Sequence, residues 1–325
     1  MFSEELWDNF VSNTWGRCPA IYTKADYTPL TESDFKKVIQ KYFSQAVQGK
    51  FSNDIRIYAN DRSISKSEHA LLLNIDINSI TDFKSFVLKA KSILNSNSFG
   101  VIINDVGNFE PSIQREVEKF LTPLVRRVGL PFRETEIGIF GGDYLRTPFG
   151  IHRDLGNDNF TFGIVGEKRF LFWPPEYFAS DIMGTKCGVS NKESIYCDID
   201  VYERFKGDAI SLTVCPGEIL YWPDWWHTAD MEFEMEHLTL SLGLWSEVNL
   251  ATLCADFVRC ALEERLKNRL IVKGFCHPDQ ELPNFLEELL ALLKRLNDED
   301  SVAETTKSWW KNRVANQGFA TFLDD

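Results

Sequence analysis

The sequence contains few cysteines, and their arrangement argues against a domain stabilised by disulfides or by a structural zinc ion. Seven cysteines are spread over 325 residues, and no Cys-x-x-Cys pair occurs among them. An odd, scattered set argues against a disulfide framework and against a zinc knuckle, so we expect reduced thiols and a cytoplasmic location. The seven are Cys18, Cys187, Cys197, Cys215, Cys254, Cys260 and Cys276.

Long apolar runs and clustered positive charge are also missing. No apolar run approaches the length that spans a bilayer. The N-terminus, Met1 to Thr14, carries acidic residues and no long apolar core, so we do not expect a signal peptide. The 35 Lys and Arg are outnumbered by 48 Asp and Glu, which gives a net charge of −13. A nucleic-acid surface would need clustered basic residues, so we expect neither a nucleic acid nor a membrane as partner.

The hydrophobic content of 44% and the charged content of 26% are ordinary for a globular protein. The length suffices for one large domain with appendages or for two domains. Residues 1 to 95 have mixed α/β character, with a helix opening at Thr31 behind good cap residues. Leu71 to Ile75 could form a strand, Asp82 to Leu94 an amphipathic helix, and Phe99 to Ile103 a buried strand.

A helix is predicted from Pro111 to Val128, interrupted or ended near Pro123. From Thr135 to Trp245, short apolar segments are separated by Gly, Pro and Asp, which is typical of a β-sandwich or barrel. After Asn249 the pattern becomes helical again. We therefore divide the chain at residues 1–95, 96–248 and 249–325, and predict a mainly β fold with flanking helices. The short strands are expected at Glu136–Phe140, Ile151–Asp154, Asn159–Val165, Arg169–Trp173, Ile210–Val214, Glu218–Trp222 and Leu238–Trp245.

The most informative segment is Gly150-Ile151-His152-Arg153-Asp154, which we interpret as a strand followed by a turn at Gly156. Side chains two apart on a strand share a face, so His152 and Asp154 can reach one point together. With His227 they would form two imidazoles and one carboxylate, the facial ligand set of non-haem Fe(II) oxygenases. Taken alone, a His-x-Asp pair is common by chance, and a strand histidine bonded to a loop carboxylate explains it equally well. His227, beside Trp225 and Trp226, could equally be a core histidine.

The ordered set of motifs is more specific than any one of them. His152-x-Asp154 is followed by Asn159-Phe160, by Gly166-Glu167-Lys168-Arg169 leading to Trp173-Pro174-Pro175, by Pro216-Gly217-Glu218-Ile219-Leu220-Tyr221, and by Trp225-Trp226-His227. Over about residues 135 to 246, this order resembles the JmjC, or cupin-type, family of Fe(II)/2-oxoglutarate oxygenases. The resemblance is greatest to the branch that contains the asparaginyl hydroxylase of hypoxia-inducible factor.

The resemblance implies a double-stranded β-helix (jelly-roll) as the catalytic domain at 96–248. His152, Asp154 and His227 match the metal ligands and catalytic centre, and Lys168 matches the lysine that binds the distal carboxylate of 2-oxoglutarate. Asn159 matches an asparagine near the co-substrate, and Thr147 is an approximate counterpart of the threonine before the first histidine. Two departures concern the co-substrate pocket. The spacing from His152 to Lys168 is one residue longer than in that relative, and Gly243 stands where the relative has asparagine.

The implied activity is hydroxylation of an unactivated C–H bond with Fe(II) and 2-oxoglutarate, most plausibly on an amino-acid side chain of a peptide or protein. Asp154 favours hydroxylation, because related halogenases lack this carboxylate. A free amino acid or small natural-product intermediate is the alternative substrate. A jelly-roll binding module without turnover, or a cupin isomerase that uses zinc or manganese, is the alternative function.

Other features have plainer interpretations. We interpret His69, His237 and His277 as structural or surface residues, because none of them has a ligand-like partner in a recognisable motif. The leucine-rich stretch 286–296 is more apolar than one helical face requires, which favours burial in its own domain or against another subunit. Because the relative dimerises through C-terminal helices, we expect a homodimer.

Overall fold

The structure is a computed structural model, and it describes the chain most completely between residues 2 and 245. The described residues are 2–23, 27–52, 54–131, 135–147, 150–178, 186–187, 194–196, 202–231, 235–245, 255, 257, 259, 304 and 306–312. The chain divides into two compact units, Met1–Glu247 and Val248–Asp325. Among the described residues, no helix has the length and apolar character that crossing a membrane requires.

The helices of the first unit begin at polar cap residues, as the sequence pattern predicts. Thr31 accepts a hydrogen bond from the backbone N–H of Asp34, whose carboxylate accepts one from the N–H of Thr31 in return. In chain order the helices are α1 (Glu4–Asn13), α2 (Glu32–Val47), α3 (Lys66–Leu71), α4 (Phe83–Leu94), α5 (Pro111–Val128) and α6 (Tyr202–Phe205), with 3₁₀ turns at Leu72–Asn74, Ile77–Ser79, Val106–Asn108 and Lys206–Asp208.

Two local predictions are wrong. Leu71 to Ile75 is not a strand, because a capping box at Ser65 starts α3 and the chain then tightens into the 3₁₀ turn Leu72–Asn74. Helix α5 is not broken at Pro123 but continues to Val128. Proline removes one N–H donor, but the apolar stripe of α5 is buried on both sides of it, and this packing outweighs the missing bond. The buried stripe comprises Ile113, Val117, Phe120, Leu121, Leu124 and Val125.

The strands form two antiparallel sheets. In chain order they are β1 (Ala20–Tyr22), β2 (Ile55–Ala59), β3 (Arg62–Ser63), β4 (Phe99–Ile103), β5 (Glu136–Gly142), β6 (His152–Asp154), β7 (Asn157–Val165), β8 (Lys168–Trp173), β9 (Lys186–Cys187), β10 (Ser194–Tyr196), β11 (Ile210–Val214), β12 (Ile219–Trp222), β13 (Trp226–Ala229) and β14 (His237–Trp245). The first sheet runs β1-β12-β7-β14-β5-β4-β2-β3, and the second runs β11-β8-β13-β6-β10-β9.

Eight of these strands are divided between the two sheets in the order of a jelly-roll. Strands β5, β7, β12 and β14 lie side by side in the first sheet, and β6, β8, β11 and β13 lie side by side in the second. Successive strands therefore cross between facing sheets, except for β8 and β11, which pair within the second sheet. The inward side chains of the two sheets form a shared core. The predicted mainly β, jelly-roll fold with flanking helices is confirmed. The N-terminal strands β2, β3 and β4 extend the first sheet beyond β5.

Aromatic side chains pack the N-terminal helix α1 against the outer face of the first sheet. Phe10 of α1 is fully buried, and its ring lies 4.8 Å from Tyr221 of β12 and 5.7 Å from Phe160 of β7. Phe120 of α5 packs 5.5 Å from the same Phe160 ring. The opposite face of this sheet is thereby left to line the interior of the jelly-roll.

The outer face of the second sheet has its own apolar cover. Leu171 and Trp173 of β8 and Trp226 of β13 pack against Phe178 and Phe205 from the connection between β8 and β11. The indole N–H of Trp173 donates to the carbonyl of Phe205 at 3.0 Å. The alternate residues of β8, Phe170 and Phe172, belong instead to the interior core.

In the second unit, residues 255, 257, 259, 304 and 306–312 are helical. The rings of Phe257 and Trp309 meet edge to face at 5.6 Å. Stretch 286–296, on which the expected dimer interface depends, lies outside the described residues, and the homodimer stays a prediction.

We expect Phe10→Ala to lower the free energy of unfolding of the chain by about 3–5 kcal/mol, because it removes a fully buried ring and leaves a cavity against β7 and β12. Chemical denaturation measures the change. Ser12→Ala, on the exposed side of the same helix, is the control and should stay within about 0.5 kcal/mol. Equal stability of the two variants would contradict the anchoring role of Phe10.

Candidate metal centre

Two neighbouring strands bring together the three residues that the sequence singled out. His152 and Asp154 lie on β6, and His227 on β13 is the direct backbone partner of His152. The two imidazole rings are 4.2 Å apart between centroids. One nitrogen or carboxylate oxygen from each of the three residues lies within 4.8 Å of the others. Two imidazoles and one carboxylate thus converge on a single point.

Backbone carbonyls set the orientation of both imidazoles. Nδ1 of His152 lies 3.1 Å from the carbonyl oxygen of Gly150, and Nδ1 of His227 lies 3.0 Å from that of Trp225. A carbonyl oxygen only accepts hydrogen bonds, so we infer that each Nδ1 carries the proton and each Nε2 presents its lone pair. This is the arrangement that metal-ligating histidines use.

The surroundings of His227 favour the neutral imidazole that a metal requires. Burial, and next the neighbouring His152, hold the pKa of His227 well below its ordinary value, while Asp154 acts in the opposite direction. His227 is 5% exposed, whereas His152 and Asp154 are half-buried. His227 thus lies on the buried side of the three residues, and His152 and Asp154 lie on the partly exposed side. The point at which the three groups converge is therefore open toward solvent.

An ion pair joins the two segments that carry these residues. Arg153, between His152 and Asp154, points to the other side of β6 and binds Asp224 through both arms of its guanidinium. Nε lies 2.5 Å from Oδ1, and the second contact, to Oδ2, measures 2.8 Å. Asp224 lies three residues before His227, so this two-contact ion pair, called the Arg153–Asp224 fork below, connects β6 to the start of β13. Sequence reasoning missed this contact because nothing in the local pattern pairs Arg153 with a residue 71 positions away.

Lys168 enters the same interior from β8. It is 2% exposed and shares its strand face with Phe170 and Phe172, and the latter is the backbone partner of His227. Arg169 points to the other face and binds Asp230 at 2.9 Å. These orientations agree with the strand register expected from the sequence.

The surroundings of Lys168 are aromatic. Its Nζ lies 5.1 Å from the ring centre of Phe140, 5.2 Å from that of Phe170 and 3.4 Å from the hydroxyl of Tyr144. Among the described residues, no carboxylate lies within 4.0 Å of Nζ. Desolvation by burial lowers the pKa of Lys168 to about 7. A buried ammonium without an anion is costly, so this group favours an anionic ligand.

Asn159 and Thr147 lie at different places. Asn159 on β7 is buried and is the direct partner of Trp222, whose side chain belongs to the interior core. Partners in a sheet share a face, so Asn159 faces the interior. Thr147 is buried, and in the described part of the chain its hydroxyl finds no hydrogen-bond partner. It lines a cavity of about 850 Å³ together with Tyr144 and Arg169, and His152, Asp154 and His227 are not among the lining residues.

Comparison with known proteins finds matches among solved structures. No family model and no curated protein matches the sequence. Among solved structures, Escherichia coli YcfD matches with a TM-score of 0.47 and 15% identity over 94% of this chain and 70% of that chain. YcfD, described as a ribosomal oxygenase, in complex with cobalt and 2-oxoglutarate matches at 0.46 and 14% over 95% and 70%. The complex with cobalt and succinic acid matches at 0.46 and 15% over 94% and 69%. At such TM-scores and identities these neighbours carry no weight for the chemistry of this site, which depends on its own residues.

We expect Asp224→Asn to lower the affinity of the chain for Mn(II) by about 10- to 100-fold, because Arg153 then loses the charged partner that fixes the strand between the two β6 ligands. Isothermal titration calorimetry measures the affinity. Lys119→Ala, which breaks the exposed Lys119–Glu116 pair on α5, is the control and should leave it unchanged. Unchanged affinity in both variants would mean that the fork does not position the ligands.

Proposed function

We propose that this chain is an Fe(II)- and 2-oxoglutarate-dependent oxygenase of the JmjC type that hydroxylates an unactivated C–H bond. The observation that carries the proposal is the convergence of His152, Asp154 and His227 within 4.8 Å. Three ligands on one side of a metal leave open positions on the other, which is the arrangement that non-haem iron oxygenases use. Both carbonyl-oriented imidazoles present Nε2, in keeping with this role.

The residues fit both absent groups. Two neutral imidazoles and one carboxylate form a suitable donor set for Fe(II). Lys168 offers a buried amino group that has no carboxylate partner among the described residues, and the rings of Phe140 and Phe170 lie beside it. In this proposal Lys168 binds the distal carboxylate of 2-oxoglutarate, and Asn159 faces the same interior.

When bound, the metal and 2-oxoglutarate supply the oxidative chemistry: oxygen is reduced, 2-oxoglutarate becomes succinate and CO₂, and the substrate gains a hydroxyl group. The chain itself holds the ligands and shapes the interior. Trp222 and Phe172, whose rings lie 5.2 Å and 6.4 Å from the ring of His227, form an apolar wall beside the ligands. The Arg153–Asp224 fork fixes the separation of the two ligand-bearing segments.

For the substrate, we propose an amino-acid side chain in a peptide or protein, with a free amino acid as the alternative. The sequence resemblance to the branch of the asparaginyl hydroxylase favours this class, and the partial exposure of His152 and Asp154 is consistent with a substrate that approaches from solvent. We also propose that the chain forms a homodimer through its C-terminal unit.

The proposal predicts succinate release that depends on Fe(II), and on both histidines. His227→Ala or His152→Ala should abolish iron binding and succinate formation over peptide and amino-acid libraries while the fold is retained, because one strand residue contributes little to so large a core. Metal analysis after anaerobic purification, mass spectrometry of the products and circular dichroism measure the three properties. Full activity in either variant, or zinc as the bound metal with no succinate released, would contradict the proposal.

The role of Lys168 gives a separate prediction. Lys168→Ala should raise the KM for 2-oxoglutarate by about one to three orders of magnitude, because it removes the charge partner of a buried carboxylate. Iron binding should change little. Arg169→Ala is the matched control, since Arg169 faces away from the interior toward Asp230, and it should leave that KM nearly unchanged. A large effect from Arg169 alone would mean that the distal carboxylate binds elsewhere.

A further inference from the structure

Three polar side chains meet where the ends of β5, β7 and β14 lie side by side. His237 opens β14 and is the backbone partner of Gly142, the last residue of β5, while its neighbour Leu238 pairs with Val165 at the end of β7. Tyr144 follows β5 by two residues, and Lys168 follows β7 by three. The chain thus brings a phenol, an imidazole and an ammonium to one end of the jelly-roll.

The position of Tyr144 is fixed by two glycines. A Cβ added to Gly100 would lie 3.0 Å from the ring of Tyr144, and one added to Gly142 would lie 2.9 Å from it. The absence of both side chains lets the ring lie against the backbone of the first sheet. Its hydroxyl is 3.4 Å from Nζ of Lys168, and its ring meets that of His237 edge to face at 4.6 Å. Tyr144 therefore links the other two residues.

His237 has an unused nitrogen. The residue is 0% exposed, and its Nδ1 lies 3.3 Å from the carbonyl oxygen of Met235, which can only accept a hydrogen bond. We infer that Nδ1 carries the proton. Nε2 then presents a lone pair in a buried place, without a hydrogen-bond partner among the described residues. Buried polar atoms normally have a partner, so an unsatisfied one calls for a ligand or another explanation.

Lys168 has unused hydrogen-bonding capacity on the same side. Its ammonium form has three N–H donors, and in the part of the chain that the structure describes, only the Tyr144 hydroxyl accepts from one of them, at a long distance. Burial first, and then the charge of Lys168, hold the pKa of His237 down at about 3. The two basic side chains, Lys168 and His237, therefore lie in one desolvated region, and the pKa of each is below its ordinary value. The groups that face this pair from the packed elements are Phe140 on β5, Tyr144 after it and Phe170 on β8.

We propose that His237 is a second carboxylate-binding residue beside Lys168, and that a 2-oxo dicarboxylate binds there together with one proton that the two residues share. This inference rests on the proposed function. It adds a second binding residue, His237 on β14, and a proton that is taken up with the ligand. One carboxylate brings one negative charge into a dry region, and one proton on the two bases neutralises it. An imidazole protonated at Nε2 would satisfy both of its N–H groups, one on Met235 and one on the ligand.

The consequence is that binding of the dicarboxylate depends on pH. With its pKa near 7, Lys168 is mostly neutral at pH 8 in the ligand-free chain. A bound carboxylate raises the pKa of both bases, so binding at pH 8 takes up about one proton from solvent. At pH 6 Lys168 already carries its proton, and uptake is close to none. Affinity accordingly falls as the pH rises above 7.

Calorimetric titration of the Mn(II)-loaded full chain with 2-oxoglutarate and with pyruvate tests this proposal. Pyruvate has the same 2-oxo acid end but no distal carboxylate. The difference between the two acids therefore reports the interaction of the distal carboxylate with the Lys168 end of the site. Measurements in two buffers of different ionisation enthalpy give the number of protons taken up. We expect about one proton at pH 8 for 2-oxoglutarate beyond the value for pyruvate, and close to none at pH 6.

Substitution then isolates His237. His237→Phe keeps a ring against Tyr144 but has no nitrogen, and should weaken 2-oxoglutarate binding about tenfold while leaving pyruvate binding unchanged. His237→Gln restores an N–H donor and should recover most of that loss. His69→Gln, at another buried histidine whose Nδ1 is bonded to the hydroxyl of Tyr42 at 2.6 Å, is the control and should bind both acids as the unaltered chain does.

The outcomes separate this inference from the proposed function. If His237→Phe binds 2-oxoglutarate as tightly as the unaltered chain, the role of His237 is wrong, while a preference of the unaltered chain for 2-oxoglutarate over pyruvate still supports the proposed function. If His237→Phe does not fold, the titrations of the unaltered chain provide the test. Equal proton uptake with 2-oxoglutarate and with pyruvate at pH 8 would overturn the proposal that the two residues share a proton. Binding of neither acid overturns the proposed function and this inference with it.

Discussion

The pairing of β6 with β13 is the constraint on which the candidate site depends. His152 and His227 are directly opposed backbone partners, so their side chains lie on the same face at the short separation that an antiparallel pair imposes. Asp154 joins them because it is two residues further along the same strand. A shift of one residue in this register would turn His227 away from the other two. The Arg153–Asp224 fork, on the opposite face of β6, resists such a shift.

The interior behind these three residues is lined by apolar side chains, and Lys168 lies at its edge. Phe170, Phe172, Leu220 and Trp222 belong to an apolar core between the two sheets, and the buried Lys168 shares its strand face with the first two. In such surroundings the ionised form of a lysine is destabilised, which is why burial depresses its pKa. A residue of this kind contributes little to folding and much to binding, because a matching anion recovers the lost solvation. Lys168 lies four residues before Phe172, the backbone partner of His227, on the same strand.

The helices and connections outside the two sheets make this interior possible. Aromatic residues of α1 and α5 cover the outer face of the first sheet, and the connection after β8 covers the outer face of the second. The outer faces of both sheets are therefore covered, and polar side chains that point inward are shielded from solvent by the strands and by this cover. This explains why His237 and Tyr144, unremarkable in the sequence, become buried polar groups that need partners.

The sequence by itself determined the local and periodic features: the capped helices, the short strands between residues 135 and 245, the His-x-Asp strand, and the opposite orientations of Lys168 and Arg169. These follow from neighbouring residues, because side-chain alternation and capping act over a few positions. It also indicated, through ordered motifs, which distant histidine to consider, although β13 itself was not predicted as a strand. Only the tertiary structure decided that His227 faces His152 and that Asp224 binds Arg153. It alone showed that α5 continues through Pro123 and that His237 and Tyr144 lie beside Lys168. Each of these depends on which strands and helices pack together, and contacts between residues far apart in the chain leave no periodic signal in one sequence.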